Sequence, residues 1–88
     1  MSLNFPNASR SYDLRLRRVR FWAHDESLEV PFFVEVAALL FLDPQTARDE
    51  AGVLDTFDLN RSVIQTVAAR AYARNRRDSY TLTASDFA

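Results

Sequence analysis

The sequence predicts an α+β domain of two layers. A mainly antiparallel sheet of three to four strands should carry a short and a long helix on one face, in the order β-β-β-α-α-β. Three observations predict it. Residues 18–24 and 28–35 alternate apolar and polar side chains with a period of two, as strands with one buried face do. Residues 50–75 instead repeat at the helical period. On a wheel of about 100° per residue, Val53, Leu54, Phe57, Ile64, Ala68, Ala71 and Tyr72 share one arc, while Asp55, Asp58, Ser62, Gln65, Thr66 and Arg70 lie largely away from it. The length of 88 residues, finally, fits a single domain, close to the size at which one core barely suffices and a partner subunit commonly helps.

Taken in order, Leu3-Asn4-Phe5 alternates and stops at Pro6, which suits a short edge strand. Residues 7–11 are turn-like, and residues 12–17 lead into the first clear strand. There Val19, Phe21 and Ala23 should point inward, with Arg18, Arg20, Trp22 and His24 outward. After Asp25-Glu26 the alternation resumes, with Leu28, Val30, Phe32 and Val34 inward and Glu29, Pro31, Phe33 and Glu35 outward. The two runs form a hairpin. Because Pro31 cannot donate a ladder hydrogen bond, a bulge, a longer loop or an edge position is expected for the second strand.

Residues 36–42 have helix-forming composition and end at Asp43-Pro44, a two-turn helix. A polar link follows, in which Thr46 or Asp43 could cap the next helix. A continuous helix from Asp49 to Arg77 would be roughly 43 Å long at about 1.5 Å per residue. A chain of this size has a radius of gyration of about 12 Å. The long helix must therefore fray or break, with Gly52 the expected place, or project beyond the sheet. Residues 80–84 read as a last strand, and Phe87 can fold back onto the core.

Charge runs in blocks. Residues 10–20 hold five arginines and one aspartate, residues 25–58 hold nine carboxylates against Arg48 alone, and residues 61–77 hold five arginines and no acid, for a net charge of −1. Such blocks neutralise one another within a fold or across a dimer more readily than they make a nucleic-acid surface, which is usually basic overall. All 11 cations are arginine; codon bias is the plain explanation and selection for bidentate pairing the alternative.

Several chemistries are excluded. The absence of cysteine removes disulfides, thiolate metal sites and a cysteine nucleophile, and the absence of lysine removes Schiff-base and P-loop chemistry. His24 is the only histidine; a strand-end position explains it better than a general base. Asp55 and Asp58 share a helix side and read as a solvated acidic face rather than a cation site. No metal, cofactor or catalytic constellation is expected. The N-terminus lacks a charged n-region and an apolar h-region, and no run approaches membrane-spanning length. A cytoplasmic protein with no membrane partner is the expectation.

Two features stand out. Arg61 lies inside the apolar arc of the long helix, where its guanidinium needs a partner. A buried ion pair with Glu29, Glu35 or Asp86 is the plainer explanation; an anion or partner carboxylate held at a helix–sheet crevice is the functional one. If the pair is interior, Arg61→Ala should cost about 3 to 5 kcal/mol. The second feature is the outer face of the hairpin, where Arg18, Arg20, Trp22 and Phe33 would form a cationic and aromatic surface, unless residues 1–16 or Phe87 cover it.

Phe5-Pro6, Val19-x-Phe21, Val30-x-Phe32-x-Val34 leading into Ala38-Leu39, and above all Phe57-x-x-x-Arg61-x-x-Ile64 resemble a family of small bacterial proteins known only as domain of unknown function 1488. The resemblance covers nearly the whole chain through the order and spacing of these short motifs. It implies a bacterial, cytosolic α+β domain and supplies no activity. Three departures are visible: no glycine follows Asp25, Phe32 stands where relatives often carry cysteine, and Asn60 stands where they often carry histidine before the arginine. Any function resting on that cysteine or on a His-Arg pair is lost here.

The expected function is accordingly that of a non-enzymatic protein-interaction or self-associating domain. It would use the Trp22–Phe33 face, or the helix side that shows Leu59 and Val63, to form a homodimer or to bind an unidentified protein partner. The alternative is a single-stranded nucleic-acid module built on Arg15, Arg17, Arg18 and Arg20 with Trp22 as a stacking platform. The nine carboxylates of the central block argue against it.

Overall fold

The computed structural model describes residues 3–6 and 8–88; Met1 and Ser2 of the expected N-terminal segment and Asn7 of the expected turn lie outside them. Four strands, β1 (Arg10–Asp13), β2 (Arg18–Asp25), β3 (Leu28–Glu35) and β4 (Tyr80–Leu82), form one sheet in the order β1-β2-β3-β4. The first two pairings are antiparallel and β3–β4 is parallel. The crossover that makes a parallel pair possible consists of helices α1 (Val36–Leu42), α2 (Glu50–Leu59) and α3 (Arg61–Arg74).

The period-two faces hold. Val19, Phe21, Ala23, Val30, Phe32 and Val34 are buried beneath the helices, which contribute Ala38, Leu39, Val53, Phe57, Ile64, Ala68 and Tyr72. Phe57 meets Phe21 at 5.2 Å between ring centroids, and Phe32 stacks on Tyr80 at 5.0 Å. Leu28 departs from expectation: it keeps its inward register but is 61% exposed at the last pair of the ladder, beside the two-residue turn.

Pro31 neither bulges the hairpin nor pushes β3 to an edge. Asp25 pairs with Leu28 across a two-residue turn, with Glu26 in the left-handed region at φ 58°. The hydrogen-bonded pairs are therefore Asp25–Leu28, Ala23–Val30, Phe21–Phe32 and Val19–Val34, and the register continues in the Val36 N–H donating to Arg17 O at 2.9 Å. Pro31 faces Trp22 in a pair that exchanges no bonds. Its nitrogen points toward β4, which begins pairing only at Phe32.

The N-terminal elements are shifted from expectation. Of the edge strand over residues 3–5, only an Asn4–His24 bridge forms, while Leu3 and Phe5 pack on the core. β1 (Arg10–Asp13) is a strand of its own where the sequence suggests a turn over residues 7–11 and an approach to β2 over residues 12–17. Leu14 to Arg17 is a turn: the Asp13 carboxylate accepts the Leu16 N–H at 3.2 Å and Arg17 takes φ 52°.

The long helix is interrupted at Asn60, not near Gly52. A single helix of roughly 43 Å would exceed the longest molecular extent, 36 Å. Asn60 leaves the helical region at φ −112°, ψ 17°, and its side-chain amide donates to Thr56 O at 2.9 Å. Gly52 serves another purpose, since a Cβ there would lie 2.5 Å from Ala47 Cβ and 2.6 Å from Ala47 O. Neither expected cap starts α2: Asp49 does, accepting the Gly52 N–H at 3.0 Å. The Thr46 hydroxyl instead donates to Asp43 O and meets the Thr56 hydroxyl in the interior. After β4, a 3-10 turn (Ala84–Phe87) closed by a Thr83–Asp86 capping box returns Phe87 to the core.

Candidate interaction surface

Strand alternation brings Arg18, Arg20, Trp22 and Phe33 together on the sheet face opposite the helices. Arg20 stands directly across from Phe33, and Trp22 from Pro31. The Arg18 guanidinium carbon sits 3.6 Å from the Phe33 ring centroid, and that of Arg20 lies 5.0 Å from Trp22 and 5.9 Å from Phe33. Such stacking holds long cationic side chains flat over aromatic rings. It also buries the Arg18 Nε, which makes no hydrogen bond and has the Asp13 carboxylate at 3.7 Å.

Trp22 and Phe33 are half-buried and Arg20 is exposed. Of the expected covers, Leu3, Phe5, Tyr12 and Phe87 pack against the core instead. Glu29, opposite His24, and Glu35, opposite Arg18, flank the aromatic centre at its two ends. Neither carboxylate, nor Arg20, has an ion-pair partner among the described residues. The face thus presents an aromatic centre with unpaired charges of both signs at its rim. His24 occupies the half-buried end of β2, its backbone bonded to Asn4 at 2.7 and 2.8 Å.

Arg61 takes none of its three expected partners. Its guanidinium donates to Asp58 at 2.7 Å and to Ala8 O at 3.1 Å, and lies 4.9 Å from the Phe57 ring centroid. Its side chain is 23% exposed, so the pair is partly solvated rather than interior. Asp58 also receives Arg10 in a bidentate pair at 3.0 and 2.8 Å. The Arg10 hydrogen bond, with Arg61 beside it, holds the Asp58 carboxyl below the ordinary carboxylate range, and the same bond raises the Arg10 pKa. Asp58 is therefore a clamp between β1 and the helical layer, while it stays exposed, as Asp55 does, on the solvated side expected for both. The register, rather than the sequence, makes this legible: Arg10 pairs with the inward Phe21 and so falls on the inward side of β1, where a cation must find an acid.

A second polar cluster was invisible in the pattern. Tyr72 donates to Asp25 Oδ2 at 2.5 Å, joining α3 to the hairpin tip; Arg76 lies 4.4 Å from the Tyr72 ring centroid and 3.9 Å from Asp25. The bond to Asp25, and then burial, raise the Tyr72 pKa. Among the described residues no group of three or more histidines, aspartates or glutamates is arranged to hold a metal ion, and no helix is long and apolar enough to cross a membrane.

No curated protein and no solved structure matches the chain. One family model does, that of a protein of unknown function (DUF1488), over residues 3–83. With nearly its whole length so matched, the chain belongs to the DUF1488 family.

Proposed function

We propose that this protein is a non-catalytic, self-associating interaction domain that forms a symmetric dimer through the outer face of its sheet. One observation carries the proposal. Trp22 and Phe33 stand at the centre of a helix-free sheet face, with Arg18 and Arg20 stacked on them and Glu29 and Glu35 unpaired around them. An aromatic and arginine centre with a charged rim is the usual anatomy of a specific interface. A face carrying both signs of charge is self-complementary under a two-fold operation. Single-stranded nucleic acid is the poorer fit, because Glu29 and Glu35 would be set against phosphates on the same surface.

Sedimentation at increasing concentration tests this. The unmutated protein is expected to pass from monomer to dimer, and its thermal midpoint should rise with concentration because association adds to apparent stability. Trp22→Glu should remain monomeric with a concentration-independent midpoint. A wild-type monomer at millimolar concentration, or a dimeric Trp22→Glu variant, overturns the proposal. Trp22 is the only tryptophan, so its emission also reports on nucleic acid: quenching by an oligonucleotide, with affinity falling steeply as salt rises, would move the assignment to the nucleic-acid reading.

A further inference from the structure

We infer that the cleft between the free edge of β4 and the last turn of α3 binds an extended acidic peptide segment, added to the sheet as a fifth strand. This surface is separate from the Trp22–Phe33 face, and the inference does not rest on the dimer.

The strand edge follows from the register. Phe32 bonds toward β2, so Phe33 turns its N–H and C=O toward β4, where a parallel ladder joins them to the residues on either side of its partner Thr81. Tyr80 and Leu82 are thereby used, and Thr81 directs its own N–H and C=O outward. Thr81 is exposed, and among the described residues no element lies beyond β4 in the sheet. The next outward donor, the Thr83 N–H, is already taken by Asp86 Oδ2 at 2.7 Å. The open pairing unit is thus confined to Thr81, flanked by a cleft of about 360 Å³ that is lined by Ala71, Arg74, Asn75, Arg77, Tyr80 and Leu82 among others.

Charge identifies the occupant. The Tyr80 hydroxyl donates to Asn75 O at 2.6 Å and accepts the Arg77 N–H at 2.7 Å, which fixes the loop carrying Arg77 beside the strand. Arg76 turns away to Tyr72 and Asp25. Arg74 and Arg77 have no carboxylate within ion-pair distance among the described residues, and Asp86, the acid in the cleft wall, is engaged by the Thr83 N–H and hydroxyl. The C-terminal end of a helix carries about half a negative charge, which two guanidinium groups more than offset. A cationic cleft beside an unpaired strand edge fits a peptide backbone with acidic side chains, since strand addition draws affinity from main-chain bonds and specificity from flanking side chains. A nucleic acid would meet the arginines and leave the strand edge unused.

The test is a fluorescence-anisotropy titration of the full-length chain with a labelled octapeptide alternating Glu and Val, against its Lys/Val counterpart. The Glu/Val peptide should bind at least tenfold more tightly. The Arg74→Glu/Arg77→Glu double variant should lose at least tenfold in affinity. Thr81→Pro removes only the outward N–H, which an edge strand tolerates, and should lose binding with an unchanged circular-dichroism spectrum. Should that variant unfold, hydrogen exchange of the wild-type Thr81 amide decides: it should become protected when the peptide is added. Equal affinity for the two peptides, retained affinity in the double variant, or a Thr81 amide that stays unprotected at saturation overturns the inference. So does tighter binding of a single-stranded oligonucleotide at the same arginines. The titration repeated on Trp22→Glu separates this site from the proposed dimer face, because peptide binding should persist there whether or not the dimer forms.

Discussion

Asp58 is where β1, α2 and α3 converge, with Arg10 bidentate on one side and Arg61 on the other. Arg61 invites the expectation of a costly buried charge, yet its carboxylate partner is more than a third exposed. Solvent therefore screens the pair. Arg61→Ala should cost about 1 kcal/mol or less in urea unfolding, in the range of exposed pairs, and a loss of 3 kcal/mol would restore the interior assignment. The lowered Asp58 pKa gives a definite sign in acid. The unfolded chain takes up the proton first, so the stabilisation is fully present above the ordinary carboxylate pKa of about 4 and is lost as pH falls through the lower folded value. Asp58→Asn should flatten that acid limb. Tyr72 works in the opposite direction. Its folded pKa is raised by Asp25, so its contribution is complete below the unfolded value of about 10 and disappears as pH rises through the folded one. Tyr72→Phe keeps the ring, lowers the thermal midpoint at pH 7, and should remove this alkaline fall from a midpoint-against-pH series.

At the level of elements, Gly52 shows two local rules in opposition. Helix propensity alone would make Gly52→Ala stabilising by about 1 kcal/mol, but the new Cβ would collide with the Ala47 Cβ and carbonyl oxygen, which are anchored next to the Asp49 cap. Overpacking costs about 1 to 3 kcal/mol, so the net effect should be a lower urea midpoint; a higher midpoint would show that residues 43–49 yield freely. The same opposition explains what could be read in advance. In β2 and β3 the period of two was legible because a helical layer covers one face along most of their length, and it identified Phe21, Phe32 and the outward Arg18, Arg20, Trp22 and Phe33 correctly. Leu14 and Leu16 alternate just as well, yet the Asp13 side chain and the left-handed Arg17 make a turn of them. Leu28 keeps its side of the ladder and departs only in its exposure, at the last pair. The interruption at Asn60 leaves the apolar period of α2 and α3 intact, so periodicity could not reveal it. The cue lay in the chemistry of asparagine, whose amide competes for a helix carbonyl. The partner of Arg61 differs from expectation for a related reason: it sits three residues back on an adjacent turn and is not one of the distant acids.

Across the whole molecule, the three charge blocks of the sequence are joined by the fold. Arg10 of the first block and Arg61 of the third meet on Asp58 of the second, and Arg76 reaches Asp25 in the same way. Arg20, Glu29 and Glu35 stand apart from this internal neutralisation, all on the helix-free face. Leu59 and Val63, exposed by 83% and 46%, offer the helical side as a rival contact surface, where Val63 shares a cleft with Phe87 and Arg70, but the acid of that cleft, Asp86, is already engaged by Thr83. A two-fold dimer on the sheet face makes a prediction that an adventitious contact does not. In a symmetric interface each Arg20 must face the same acid of the other copy, and the reciprocal contact repeats across the axis. Arg20→Glu should then weaken the dimer at least tenfold by setting like charges together. Adding either Glu29→Arg or Glu35→Arg, whichever acid the axis brings opposite, should recover most of the loss, while the other addition recovers little. Raising NaCl from 50 to 500 mM should shrink the difference between wild type and Arg20→Glu, since rim charges are screened over a Debye length that falls below 10 Å in this range. The aromatic centre should keep both proteins associating at high concentration. Sedimentation equilibrium on wild type and the three variants reads all of this directly, and failure of both reversals to rescue Arg20→Glu would exclude a charge-matched two-fold through this face.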